Sequence, residues 1–214
     1  MRLAFLLWSW TLATRSFPYQ TAAMTTLTRF GSRGSNIWLY KADPEEYSIH
    51  DLEKEPGSTD VWDGVRNHVA KKNMMAGKIG DLVLFYHSNS KKETGIVGVC
   101  EIVKESYPDP LQQDPSSKYY EKKGPNKKGE WPWKSVDIKL LEKWAQPVTL
   151  IQMKASDDPA IKNMQLFTTA RLSVQAVEKE AFEKIEAMRM ENESVDTKED
   201  EGSEPVTKKA RTKA

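Results

Sequence analysis

Asp81–Asn89, DLVLFYHSN, and Gly95–Pro108, GIVGVCEIVKESYP, are two apolar runs rich in β-branched and aromatic residues, joined by the polar link SKKET. Such residues suit a pleated, half-buried surface, and a short polar link between two such runs predicts an antiparallel hairpin. The rest of the fold is read outward from this hairpin.

Toward the N-terminus, NIWLYKAD predicts a first strand, PEEYSIHDLEKEP a loop and short helix, and WDGVRNHVAKKNMMAGK a loop that enters a helix. Toward the C-terminus, SVDIKLLEKWAQPVTL predicts another strand. KNMQLFTTARLSVQAV passes through a short helix or loop to RLSVQAV, and EKEAFEKIEAMRME has helical spacing. YPDPLQQDPSSKYYEKKGPNKKGEWPW is too polar for core and long enough to be a functional loop. Strands interleaved with a few helices place the chain in the α+β class, with a mainly antiparallel, barrel-like sheet.

The ends differ from this body. Residues 1–35 carry Arg2, Arg15, Arg29 and Arg33 among serines and threonines, and the first acidic residue is Asp43. The apolar run Leu3–Ala13 is far short of the ~20 residues that span a bilayer, so no membrane partner is expected. A basic, acid-free leader fits a mitochondrial transit peptide; it also fits a weak secretory signal, or an extension upstream of a start at Met24. Beyond Glu191, residues 192–214 lose their aromatics and nearly all large aliphatics, which predicts an acidic-then-basic disordered tail. Its terminal KKARTK reads either as a nuclear import signal or as a solvated basic cluster.

Composition excludes several functions. With 38% hydrophobic and 29% charged residues, 214 residues can bury one good core, so a single domain over 36–191 is expected. A formal charge of +1 supplies no global field for polyanions, so any nucleic-acid contact must come from a local patch. Cys100 is the single cysteine and lies in an apolar run, which rules out an intramolecular disulfide. His50, His68 and His87 lack metal-ligand spacing, so neither a metal nor a cofactor is expected.

Three motifs concentrate directional chemistry. WDGVRN, Trp62–Asn67, combines an indole, a carboxylate, a guanidinium and a carboxamide; its plainer reading makes Trp62 core and Asp63 the cap of the next helix. FYHSN, Phe85–Asn89, turns polar as its strand leaves the core, which would present His87 and Ser88 at the mouth of a barrel, or let His87 cap a backbone group where a turn begins. EWPWKSVD carries Trp131 and Trp133, either as ring contacts or as loop anchors. Aromatic walls with an edge-reading polar group are what gripping one extruded nucleobase requires. Lys71-Lys72, Lys91-Lys92, Lys122-Lys123 and Lys127-Lys128 could track phosphates or merely solvate the surface.

Taken in order, WLYKADP (Trp38–Pro44), WDGVRN, GDLVLFYHS (Gly80–Ser88), GIVG (Gly95–Gly98), YPDP (Tyr107–Pro110), WKSVD (Trp133–Asp137) and RLSVQ (Arg171–Gln175) resemble the EVE domain family, and within it the thymocyte nuclear protein group. The resemblance covers about residues 36–190. It implies a PUA-like pseudo-barrel of mainly antiparallel strands with flanking helices, related to YTH readers of methylated adenine. It also implies an aromatic-walled pocket for a modified nucleobase, of methylated cytosine or adenine type, in DNA or RNA. Carried over by motif, Trp62 is a wall, with Lys41, Asp63, Arg66 and Asn67 around it. Tyr86, His87 and Ser88 form the opposite rim, and Trp133 closes the site. Two departures stand out: Ala42-Asp43-Pro44 replaces the usual SEP, and EKKGPNKKGE follows Tyr119-Tyr120 where a DPKS-like run is common.

The expected function is therefore a non-enzymatic reader of a modified base. One alternative is a small hydrolase or transferase with His87 and Asp63 as base and orienter, although no nucleophile elbow, phosphate loop or metal set accompanies them. The other is a protein-interaction module with a vestigial pocket. The basic C-terminus and the resemblance point to the nucleus, and the leader points to mitochondria.

Overall fold

A computed structural model describes Phe30 and residues 34–89 and 94–200. The predicted hairpin is present: β3 (Leu82–His87) pairs antiparallel with β4 (Gly95–Pro108). The first strand, β1 (Ile37–Ala42), lies on the other side of β3 and runs parallel to it, in register from Ile37 opposite Leu82 to Ala42 opposite His87. Reaching that parallel position requires a crossover. It is built from helix α1 (Ile49–Lys54), strand β2 (Thr59–Trp62) and helix α2 (His68–Ala76).

After β4, a 3-10 turn (Pro110–Gln113) and a long loop lead to β5 (Lys134–Thr149), which pairs with both β4 and β2. Three short helices follow, α3 (Leu150–Ala155), α4 (Pro159–Lys162) and α5 (Gln165–Thr168), then β6 (Val174–Val177) and α6 (Lys179–Asp200). The strand order is β2-β5-β4-β3-β1-β6. Because β2 and β6 are hydrogen-bonded on one side only, the sheet is not closed. Repeated register shifts between β4 and β5 bend the long strands. Helix α2 then touches both β5 and β6, bringing the two ends of the strand order together by side-chain packing.

Strand residues alternate between two cores. Ile37, Leu39, Leu82, Leu84 and Tyr86 join Phe182 and Ile185 of α6 on one face. Trp38, Tyr40, Val83 and Phe85 join Ile49, Leu52, Ala70 and Met74 of α1 and α2 on the other. Burial on both faces explains why β3 reads as an unbroken apolar run. Each fully buried Leu39 or Phe182 contributes about 1.5–3 kcal/mol. Cys100 is buried in the second core, and burial pushes its thiol pKa up.

Buried Asp81, just before β3, ties the strand starts together. Its carboxylate accepts from the backbone N–H of Asn36 and Lys78, the Asn36 amide and the Trp38 indole, at 3.0–3.2 Å. Helix α6 continues past Glu191 to Asp200, so residues 192–200, expected as the start of a disordered tail, are helical. The basic cluster KKARTK and nearly all of the leader lie outside the described residues.

Candidate nucleic-acid site

The WDGVRN segment leaves the sheet edge at the end of β2. Trp62 still pairs with Val136 and turns its ring inward, 5.3 Å from Tyr40 and 5.3 Å edge-on from Phe85. Gly64 then reverses the chain at φ +69°, a conformation that costs an L side chain about 1–2 kcal/mol. A Cβ at that position would also meet the Tyr119 ring at 3.0 Å. Asn67 caps α2, its Oδ1 accepting from Val69 N at 2.8 Å and Ala70 N at 3.1 Å.

Buried Asp109, from the YPDP motif, holds this turn. Its carboxylate accepts from Gly64 N at 3.1 Å, Arg66 Nη1 at 2.6 Å and Leu111 N at 2.7 Å. The Arg66 guanidinium also donates to the carbonyls of Tyr119 and Val65 and lies over the Tyr119 ring, 5.1 Å from its centre. Gln112, fully buried, stitches the same loop to β5 through both its amide atoms, exchanging hydrogen bonds with the backbone of Trp133. The long polar loop is thus pinned at its start by Asp109, midway by Arg66 and at its end by Gln112.

Between this turn, the end of β1 and the pinned loop lies a cleft of about 600 Å³, within the range of small-ligand sites. Its floor is the remaining surface of Trp62; Tyr47 and Tyr119 add aromatic sides, and Lys41, Asp43, Asp60, Asp63, Arg66, Asn67 and Ser173 supply polar groups. Most of these are engaged. Lys41 Nζ donates to the Ala170 carbonyl at 2.9 Å, and burial holds its pKa below the usual lysine range. Asp60 accepts from the Tyr47 hydroxyl at 2.7 Å and from Val61 N; burial first, then the bond to Asp60, raises the phenol pKa. Asp43 accepts from Glu45 N and the Asn89 amide. Asp63 differs: its carboxylate has no side-chain hydrogen-bond partner among the described residues. Partial burial, then the nearby carboxylates of Asp109 and Asp60, push its pKa up to about 6 against the pull of Arg66 and of a hydrogen bond from its own backbone N–H.

The expected site residues therefore divide. Lys41, Trp62, Asp63, Arg66 and Asn67 share the cleft. Trp62 is only 7% exposed, so it is a floor and not a free-standing wall. Asn67, not Asp63, is the helix cap. Tyr86, His87 and Ser88 do not form the opposite rim. Tyr86 is in the other core and meets the site only through Lys41, 5.6 Å above its ring. His87 is buried, its Nε2 accepting from Ile49 N at 3.1 Å, and Ser88 Oγ donates to the Ala42 carbonyl. Trp133 faces a neighbouring recess. His87 is not among the residues that line the cleft with Asp63. Sequence reasoning missed Tyr47, Asp60 and Tyr119. Asp109 lies in YPDP, where an acid between two prolines was the available signal.

Among the described residues, no group of three or more His, Cys, Asp or Glu side chains could hold a metal ion, and no helix is long and apolar enough to cross a membrane. The model for the EVE domain matches residues 36–188. The chain belongs to the EVE domain family. Mouse (Mus musculus) thymocyte nuclear protein 1 is 39% identical over 178 residues, covering 75% of this chain and 76% of the relative. Among solved structures, this EVE domain is similar to a hypothetical protein from Leishmania major, with 40% identity and a TM-score of 0.68, covering 76% of this chain and 99% of that one. It is also similar to human THYN1 protein in complex with 5-methylcytosine-containing DNA, with 36% identity and a TM-score of 0.67, covering 72% of this chain and 98% of that one. The α+β fold, a six-stranded mixed sheet with flanking helices, is that of these EVE-domain relatives.

Proposed function

We propose that this EVE domain is a non-catalytic reader of a methylated base in DNA, of cytosine type, held in the cleft between Trp62, Tyr47 and Tyr119. One observation carries the reading: in a base-sized cleft whose other charged groups are tied to protein, the Asp63 carboxylate has no side-chain partner. An ionised carboxylate only accepts hydrogen bonds, so it favours a ring edge that offers an exocyclic amine, as cytosine and adenine do. Thymine presents a carbonyl oxygen at the corresponding position and is disfavoured. The human relative bound to 5-methylcytosine DNA supports cytosine over adenine and DNA over RNA. Extruding the base exposes that edge and both ring faces, and aromatic contact contributes about 1–3 kcal/mol per base.

Titrating short oligonucleotides containing 5-methylcytosine, cytosine or thymine tests this. Tyr119→Ala is expected to weaken methylcytosine binding by about 10- to 100-fold. Asp63→Asn, which supplies a donor as well as an acceptor, is expected to narrow the preference for methylcytosine over thymine. Equal affinity for all three oligonucleotides, unmoved by either variant, would sink the reading. Trp62→Ala is a poor probe, because truncating a buried tryptophan costs about 3–5 kcal/mol of stability by itself.

A nuclear location accompanies the reading, supported by relatives named thymocyte nuclear protein 1 in mouse and human. Tagged forms starting at Met1 and at Met24 separate it from mitochondrial import. Nuclear accumulation of the Met1 form removes the transit-peptide alternative.

A further inference from the structure

Beyond Arg66 lies a second concavity, an open recess of about 840 Å³ between α2 and the pinned loop. Its chemistry differs from that of the cleft. His68 stacks on Trp133 with ring centres 5.0 Å apart, which fixes the deeper indole, and Trp133 Nε1 donates to Glu121 at 2.9 Å. Trp131, at the mouth, is partly exposed and has no ring contact among the described residues. Lys123 and Lys134 line the recess; neither ammonium forms a salt bridge among the described residues, although Lys123 lies close enough to Glu121 to lower that carboxyl's pKa. The acids at the recess, Glu121 and Glu130, already accept hydrogen bonds from Trp133 and Lys123 N, and from the Asn126 amide. The two concavities share a partition: the Arg66 guanidinium lies 5.1 Å from the Tyr119 ring centre on the cleft side and 5.4 Å from that of Trp133 on the recess side.

An indole without a ring partner beside ammoniums without a salt bridge, one side chain away from a base cleft, matches a nucleotide: a ring to stack and a phosphate to neutralise. We propose that this recess is a second nucleotide site, which holds the flanking nucleotide of the same strand whose base occupies the cleft. The inference rests on the base-reading function above. It assigns Trp131 to stacking and Lys123 and Lys134 to phosphate contact, and it gives the WPW motif and the lysine-rich loop a role that the cleft leaves open.

The test compares two probes, the nucleoside 5-methyldeoxycytidine and a single-stranded hexamer containing one 5-methylcytosine, on the full chain. Trp131→Ala is expected to weaken the hexamer about 10-fold. Replacing Lys123 and Lys134 together by alanine is expected to reduce the slope of log affinity against log salt by about 1.4. Both variants are expected to bind the nucleoside like wild type, which also shows that they fold. Hexamer binding with wild-type affinity and salt slope in both variants, while wild type still prefers the methylated hexamer, overturns the second site alone. So does an equal loss for nucleoside and hexamer. Failure of wild type to distinguish methylated from unmethylated hexamer removes the cleft reading, and this inference with it.

Discussion

The turn after β2, WDGVRN, and the end of β3, FYHSN, look alike as sequence: each passes from an aromatic to a cluster of polar side chains. In the folded chain they do opposite things. The FYHSN groups close on their own scaffold, His87 on the first N–H of α1 and Ser88 on the last carbonyl of β1. The WDGVRN groups are also mostly satisfied, by Asp109, Tyr119 and the α2 N-terminus, but Asp63 is left facing a cleft. A polar side chain is thus a candidate for binding only when the fold has not already used its hydrogen-bonding capacity.

The sharpest way to break this contrast is Asp109→Ala. It removes a buried acceptor, leaving the largely enclosed Arg66 charge and the Gly64 N–H without their partner. A loss of about 3–5 kcal/mol in chemical denaturation is expected, together with loss of oligonucleotide binding. His87→Ala should cost about 1–3 kcal/mol, because the Ile49 N–H is left unsatisfied in the interior. Its methylcytosine affinity, measured below the unfolding transition, should match wild type. A selective loss of affinity instead would move FYHSN back into the site. Gly64→Ala is expected to cost about 1–2 kcal/mol through its left-handed backbone, and to weaken binding as well by displacing Tyr119.

The smallest expected effect has the opposite sign. Asp63 has a folded pKa raised to about 6 from an ordinary 3.8, so the folded state binds the proton more tightly than the unfolded one. Its contribution to stability is therefore fully present below about pH 4 and is lost as pH rises through about 6. Asp63→Asn should accordingly stabilise the protein at pH 7.5, by about 1 kcal/mol once the partial exposure of the site is discounted. The gain should vanish below pH 4 in thermal melts across that range. A carboxylate kept at a cost to stability is the expected signature of a group retained for binding. A variant no more stable than wild type at pH 7.5 would place Asp63 with the satisfied groups of the scaffold.

Much of the fold was legible because its signals are local. The β3–β4 hairpin, the capped α1, β5 and α6 each follow from periodicity and composition within their own segments. What was not legible was non-local. The short β2 is a strand because β5 pairs with it, not because TDVW is strongly β-forming. The parallel approach of β1 to β3 depends on a crossover of nearly forty residues. Motif matching grouped Lys41, Trp62, Asp63, Arg66 and Asn67, which share one cleft, whereas Tyr47, Asp60 and Tyr119 line the same cleft from segments with no marked pattern.

By itself the sequence determined the class of fold and its hairpin core, and it identified WDGVRN as the chemically dense segment, because backbone propensity and apolar spacing act over a few residues. Only the tertiary structure decided that Trp62 is floor and not wall, that FYHS is a clasp, and that Asp63 lines the cleft without a side-chain partner among the described residues. Burial and hydrogen-bond satisfaction depend on which distant groups arrive at a side chain, here Asp109 from forty-six residues beyond Asp63, and no local pattern encodes that arrival.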